Sequence, residues 1–208
     1  MAASGNGASI LVRASSTSSA QTAQLISSGI GSAVFGSCST SAGNSSKIEA
    51  ITTGAMAQGN AASGTISAGG LGALARGYAA IAGVISSTGA GSQAQGYAVG
   101  ATLSASQNGA AAGGYANALA ITASGIGSFA YGDATAGTIV ASATNSTQFG
   151  PGTNAEADTL KVGTAGIRFK GTVGAPGTPV NGDQYLAGAG NAFVNIYSNG
   201  KAVSINTG

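Results

Sequence analysis

Residues 91–98 read Gly91-Ser92-Gln93-Ala94-Gln95-Gly96-Tyr97-Ala98, and the pattern of this stretch returns along the chain at a nearly fixed interval. The frame Gly-(Ser/Ala)-x-(Ala/Val)-x-Gly occupies residues 31–36, 54–59, 72–77, 91–96, 109–114 and 127–132, with a degenerate copy ending Gln148-Phe149-Gly150. Its closing glycines fall at 36, 59, 77, 96, 114, 132 and 150, so the steps are 23, 18, 19, 18, 18 and 18. A fixed period of this length is the mark of a stacked repeat, in which one supersecondary unit buries its apolar face against its neighbours. Other columns keep the same beat. Ala61, Ala79, Ala98, Ala116 and Ala134 follow two residues after a closing glycine, and Ile66, Ile85, Leu103, Ile121 and Ile139 form one aliphatic column.

Eighteen residues of extended chain span about 60 Å at roughly 3.3 Å each, which suits one turn of a β-solenoid, triangular or flattened into a two-strand roll. An α-helical repeat is disfavoured, because glycine recurs in every unit and each interior glycine costs a helix roughly 1 kcal/mol. Strand alternation in Gly127-Ser128-Phe129-Ala130-Tyr131-Gly132 puts Ser128, Ala130 and Gly132 on one face and Phe129 and Tyr131 on the other. The first face is small and uniform between units, so it is expected to pack inward. The second reads Met56/Gln58, Leu74/Arg76, Gln93/Gln95, Ala111/Gly113 and Phe129/Tyr131. Such variety suits a groove, a subunit interface or solvent.

Composition narrows the function classes. The chain has 208 residues with 43% hydrophobic content, but only five Phe, six Tyr and no Trp, so much of that fraction is alanine. Charged residues make up 6%, against roughly 25% in ordinary soluble domains. No run approaches the roughly 20 apolar residues of a membrane-spanning helix, and membrane insertion is not expected. The net charge of +2 is too sparse for a phosphate-tracking stripe, so nucleic acid is not an expected partner. Catalysis is not expected either: the chain has no histidine and only five acidic residues, and Glu156 and Asp158 sit near a junction where a solvated loop is the simpler role. Neither the dinucleotide nor the P-loop glycine spacing is met by Gly70-Leu71-Gly72, Gly125-Ile126-Gly127 or Gly200-Lys201. Cys38 is the one cysteine, a buried or idle thiol by default. No cofactor or metal is implied.

Copies such as residues 91–98 and Gly127-Ser128-Phe129-Ala130-Tyr131-Gly132-Asp133-Ala134 resemble the head repeats of trimeric autotransporter adhesins. That resemblance, over about residues 29–150, implies a left-handed β-roll in which three chains assemble side by side. The opening Met1-Ala2-Ala3-Ser4-Gly5-Asn6-Gly7 has neither the basic nor the apolar region of a secretory signal, so export by that route is not expected. At the other end, Thr159-Leu160-Lys161-Val162-Gly163, the stretch 171–183 with Pro176 and Pro179, and the closing Asn199-Gly200 resemble C-terminal pieces of bacteriophage fibre and other virion proteins. Asn199-Gly200 between residues 192–198 and 201–205 is the strongest hairpin signal in the chain.

The expected architecture is therefore all-β: residues 1–28 as an N-terminal cap or docking segment, 29–150 as the solenoid, and 151–208 as a small β domain containing the hairpin. Each unit buries one Ile or Leu and a few Ala, little against the entropy of ordering eighteen residues, so association with identical chains is expected, a homotrimer suiting a fibre axis. The functional expectation is a structural virion protein, a tail fibre, head fibre or capsid decoration, touching other virion proteins and a host cell-surface glycan or protein. A secreted bacterial adhesin fragment and an ice-binding solenoid are the alternatives. The last would use a threonine column, and Thr65, Thr102 and Thr138 share one that Val84 or Ile85 and Ala120 interrupt. Tyr78, Tyr97 and Tyr115 each follow a closing glycine directly, so they are expected to stack as a ladder along one edge, either as packing or as a contact surface.

Overall fold

The computed structural model describes the backbone of residues 1–15, 22–40, 45–163, 184–186, 193–198 and 201–206. Among them all regular structure is β. The chain divides into a unit spanning Met1–Gly166 and a second spanning Ile167–Gly208.

The first unit is a flattened roll. Every turn of the chain gives one strand to each of two parallel nine-stranded sheets, so odd and even strands alternate between them. The first sheet runs from Ala2–Ala3 through short strands such as Thr102–Ala105 to Gly152–Asn154. The second runs from Ser9–Ser15 through Gln93–Val99 to Leu160–Val162. Nine strands make eight steps, about 38 Å at roughly 4.8 Å each. This is longer than the five or six turns that the visible repeat accounts for.

The repeat columns are true columns. Ile66, Ile85, Leu103, Ile121 and Ile139 are paired in register, and Leu25 and Ile48 extend the column toward the start. All seven are fully buried. They stand on the inner face of the first sheet, against two alanine columns on the inner face of the second: Ala57, Ala75, Ala94, Ala112 and Ala130, and Ala61, Ala79, Ala98, Ala116 and Ala134. Large side chains from one sheet meet small ones from the other, which keeps the roll thin while filling it.

The two edges of the roll differ. From the last residue of each first-sheet strand to the first of the next second-sheet strand the step is always six, as in Ser27 to Ala33, Ser87 to Gln93 and Asn154 to Leu160. A tight turn makes this edge: the Ser92 N–H donates to the Gly89 carbonyl at 3.1 Å and Ser128 repeats the bond to Gly125 at 3.2 Å. Its third residue takes a left-handed φ near +63°, as at Gly72, Gly91, Gly109 and Gly127. Asn145 and Asp158 hold that position in the last two turns, the residues besides glycine that tolerate it best. Beside the turn, Ser87 and Ser92 Oγ atoms lie 2.6 Å apart, buried, and Ser92 Oγ donates to the Gly89 carbonyl.

All variation in repeat length falls on the opposite edge. Val12 aligns with Gly36 and Ile10 with Val34, a step of 24, and Val34 with Ala57, a step of 23. The 19-residue step of Arg76 to Gln95 is absorbed at Ile81 and Ala82, both with left-handed φ. The final step, Gln148 to Lys161, is only 13. The solenoid therefore begins before residue 29 and passes residue 150, outside the 29–150 limits set by the glycine repeat. The first turns carry longer connectors on one edge, and the last replaces the apolar columns with Gln148 and Asn154. Pro151 lies in the short link from Thr147–Phe149 to Gly152–Asn154. Asn154 is buried and fully bonded, its Nδ2 donating to the Thr147 and Thr159 carbonyls and its Oδ1 accepting from Glu156 N and Thr159 Oγ1.

In the second unit Gln184–Leu186, Phe193–Ser198 and Lys201–Asn206 form a three-stranded antiparallel sheet. Ser198 faces Lys201, so the last two strands pair as an antiparallel hairpin, while Asn199 and Gly200 themselves lie outside the described residues. The stretch 171–183, with Pro176 and Pro179, lies outside the described residues.

Candidate functional site

Along the outer face of the second sheet runs an open furrow of about 800 Å³. Its floor is the column of closing glycines Gly59, Gly77, Gly96, Gly114 and Gly132. The strand bends at each: φ is +140° at Gly59 and Gly77, +146° at Gly96 and +124° at Gly114. Consecutive glycines also approach so closely that a Cβ on Gly96 would lie 2.0 Å from the Gly114 carbonyl oxygen. Two constraints, conformation and contact, thus select glycine here, and the backbone of this column lies between the outer rows on either side of it.

One wall is the row that precedes the glycines: Gln58, Arg76, Gln95 and Tyr131. Arg76 donates from Nε and Nη2 to Gln95 Oε1 at 2.9 and 2.6 Å, which ties the guanidinium to the next turn. Gly113 has no side chain in this row, and the Tyr131 ring covers it, close enough that a Gly113 Cβ would lie 2.8 Å from the ring. Tyr131 also stacks on Phe129 at 6.0 Å, and Phe129 meets Phe149 edge-on at 5.6 Å.

The other wall is Tyr97 and Tyr115, two rungs of the tyrosine ladder. Tyr78 and Tyr97 stack at 4.7 Å with 15° between ring planes, and Tyr97 and Tyr115 at 5.1 Å with 16°. Tyr97 and Tyr115 are 37% and 38% exposed, so the ladder is half open to solvent. It stands on the face of the sheet and not along an edge, because Tyr97 lies inside the strand Gln93–Val99. The column continues as exposed Asn60 before it and exposed Asp133 after it.

The furrow, Arg76, Gln58 and Tyr131 were not singled out as a site from sequence. The signal was present as a variable column set beside an invariant glycine column. The aromatic residues of the roll are more lopsided than composition reveals. All seven between residues 1 and 163, Phe35, Tyr78, Tyr97, Tyr115, Phe129, Tyr131 and Phe149, belong to the outer rows of the second sheet. The outer rows of the first sheet are mostly Ser, Thr and Val, with a Lys47–Glu49 ion pair at 3.0 Å. The threonine row there reads Lys47, Thr65, Val84 and Thr102 in register, interrupted at Val84.

The remaining reactive groups sit in structural roles. Cys38 is buried in the column of Ala61, and its Sγ donates to the Gln24 carbonyl at 3.2 Å. Burial pushes its thiol up from 9.0 to about 11, against the opposing pull of the backbone bonds to Ile48 and Gln24. Glu156 pairs with Lys161 at 2.9 Å, and Asp158 accepts from Asn145 Nδ2 at 2.9 Å across the turn of the last step. Among the described residues no three of His, Cys, Asp and Glu gather to hold a metal, and no helix is long and apolar enough to cross a membrane. No family model matches the chain, and no curated protein or solved structure matches it.

Proposed function

We propose that the protein is a structural, non-catalytic segment of a virion appendage, in which the solenoid sets length and stiffness and chains associate laterally as a homotrimer. The observation that supports this best is the unbroken parallel register through nine strands in each sheet. Each turn is bonded to the next along two ladders, so bending the roll must stretch hydrogen bonds on one side, each contributing about 1 kcal/mol net. Such a body transmits force and holds distance. The likeness of the chain's end to pieces of phage fibres supports the virion setting, with other virion proteins at one end and a host glycan or protein as the distal partner. Scattering mass and particle labelling test the reading. A mass near three chains, with antibodies to the roll decorating appendages on intact particles, is expected. A mass near 19.4 kDa, or particles that carry none of the chain, would overturn it.

A further inference from the structure

We infer that the tyrosine ridge and the glycine furrow form a head-to-tail interface between copies, in which the ridge Tyr78-Tyr97-Tyr115 of one chain seats in the furrow of a second copy at the same axial height. The inference rests on the lateral assembly proposed above and says which face carries it.

Six strands of seven residues, one of six and two of three, at about 3.3 Å by 4.8 Å per residue, give the second sheet a face of roughly 850 Å². A standard protein interface buries about 800 Å² per partner, so the face supplies one such area, divided between two neighbours in a closed ring. This face also holds every aromatic residue of the roll, whereas the opposite one is mostly Ser, Thr and Val. Aromatic enrichment is what separates an interface core from ordinary surface.

Pitch and shape then favour a copy of the same chain over a saccharide. The rings of the ladder stack nearly parallel at 4.7 and 5.1 Å, so both faces of Tyr97 are already covered. What remains is a row of ring edges and phenol oxygens at the solenoid's own spacing. A sugar docks on an exposed ring face, which Tyr97 does not present. A glycine-floored furrow of the same spacing accepts a row of edges. Ridge and furrow are neighbouring rows, as Gly96 and Tyr97 are neighbouring residues, so each chain can give a ridge to one partner and take one from another, as a closed ring requires. At equal height the partner's Tyr78 oxygen reaches the level of Arg76, whose guanidinium needs an acceptor besides Gln95 once water leaves.

The test begins with the triple variant Tyr78→Asn, Tyr97→Asn, Tyr115→Asn. Asn60 and Asp133 already stand in this column, so the roll should fold and keep its β circular dichroism. Sedimentation at micromolar chain concentration should show the mass falling to one chain. Register is read by co-expressing two chains in a Cys38→Ser background. Gln95→Cys in one and Tyr97→Cys in the other should form an intermolecular disulfide, whereas Gln58→Cys with Tyr97→Cys, two turns apart, should not. An oligomer that survives the triple variant, or equal cross-linking of both pairs, overturns the inference and leaves the lateral assembly standing. A wild-type chain that sediments alone overturns both.

Discussion

Replacing Gly96 by alanine should be among the most damaging single-methyl changes available in this chain. The new Cβ would lie 2.0 Å from the Gly114 carbonyl oxygen and 3.0 Å from the Gly114 nitrogen. An ordinary carbon–oxygen contact needs more than 3 Å, so the two turns must part by about 1 Å, which weakens several ladder bonds contributing about 1 kcal/mol each. The residue must also hold φ at +146°, a strain of about 1–3 kcal/mol for an L side chain. Together these give a loss of at least about 4 kcal/mol, at the extreme of single substitutions. Gly72→Ala is the control. Its φ is +62°, but a Cβ there meets nothing within 4 Å, so only the backbone term of about 1–2 kcal/mol applies. Gly72→Asn should cost less still, since Asn145 already holds the equivalent position. Urea unfolding at one fixed chain concentration measures all three. If Gly96→Ala costs no more than Gly72→Ala, the close approach of the turns is not what selects glycine.

Ile85→Ala should lower stability by about 3 kcal/mol by opening a cavity in the fully buried column, whereas Val84→Ala on the outer face should cost under about 1 kcal/mol; thermal melting compares them. Cys38 should resist iodoacetamide at pH 8 until the roll unfolds, so alkylation in native buffer at the rate of a free thiol would contradict its burial. Because its folded pKa of about 11 lies above the unfolded 9.0, the folded state holds the proton longer, and this group's contribution is full below pH 9 and lost as pH rises toward 11. Cys38→Ala should therefore flatten that part of the stability profile. Glu49→Gln should cost about 1 kcal/mol or less in urea unfolding, because the half-exposed Lys47 loses its charged partner while an amide oxygen can still accept from Ser67 Oγ.

Much of the fold was legible because a stacked repeat writes its geometry into its period. The aliphatic column at Ile66, Ile85 and Leu103 and the inward-facing Ala130 could be read from spacing and alternation alone. The ends were harder to read. The step from Val12 to Gly36 contains no closing glycine at its start, and the last step substitutes Gln148 and Asn154 for apolar residues, so the signals that define the repeat fade where its turns still stack. The tyrosine ladder was legible as a one-dimensional coincidence of Tyr78, Tyr97 and Tyr115 after glycines. The furrow beside it was not, because it depends on how the rows of Gln95 and Tyr97 stand on either side of Gly96 once the turns are stacked. The Ser87–Ser92 bond was also missed: the partners stand five positions apart, and only the tight turn brings them together.

The constancy of one edge and the looseness of the other bear on how this chain could be rebuilt. The step from Ala105 to Ala111, like that from Ala123 to Phe129, is always six, and the turn is hydrogen-bonded at each level, in the last through Thr159 Oγ1 to the Glu156 carbonyl. Across the roll, steps of 23 residues from Leu25 to Ile48 and 18 from Ile48 to Ile66 leave the aliphatic column intact. A foreign peptide grafted between Gly100 and Ala101 would leave by the permissive side and return to the same register, whereas one placed between Ala90 and Gly91 would break the hinge on which every turn closes. The roll is in that sense a display spine with one open margin, and a library of loops could be hung along it at intervals of about 4.8 Å.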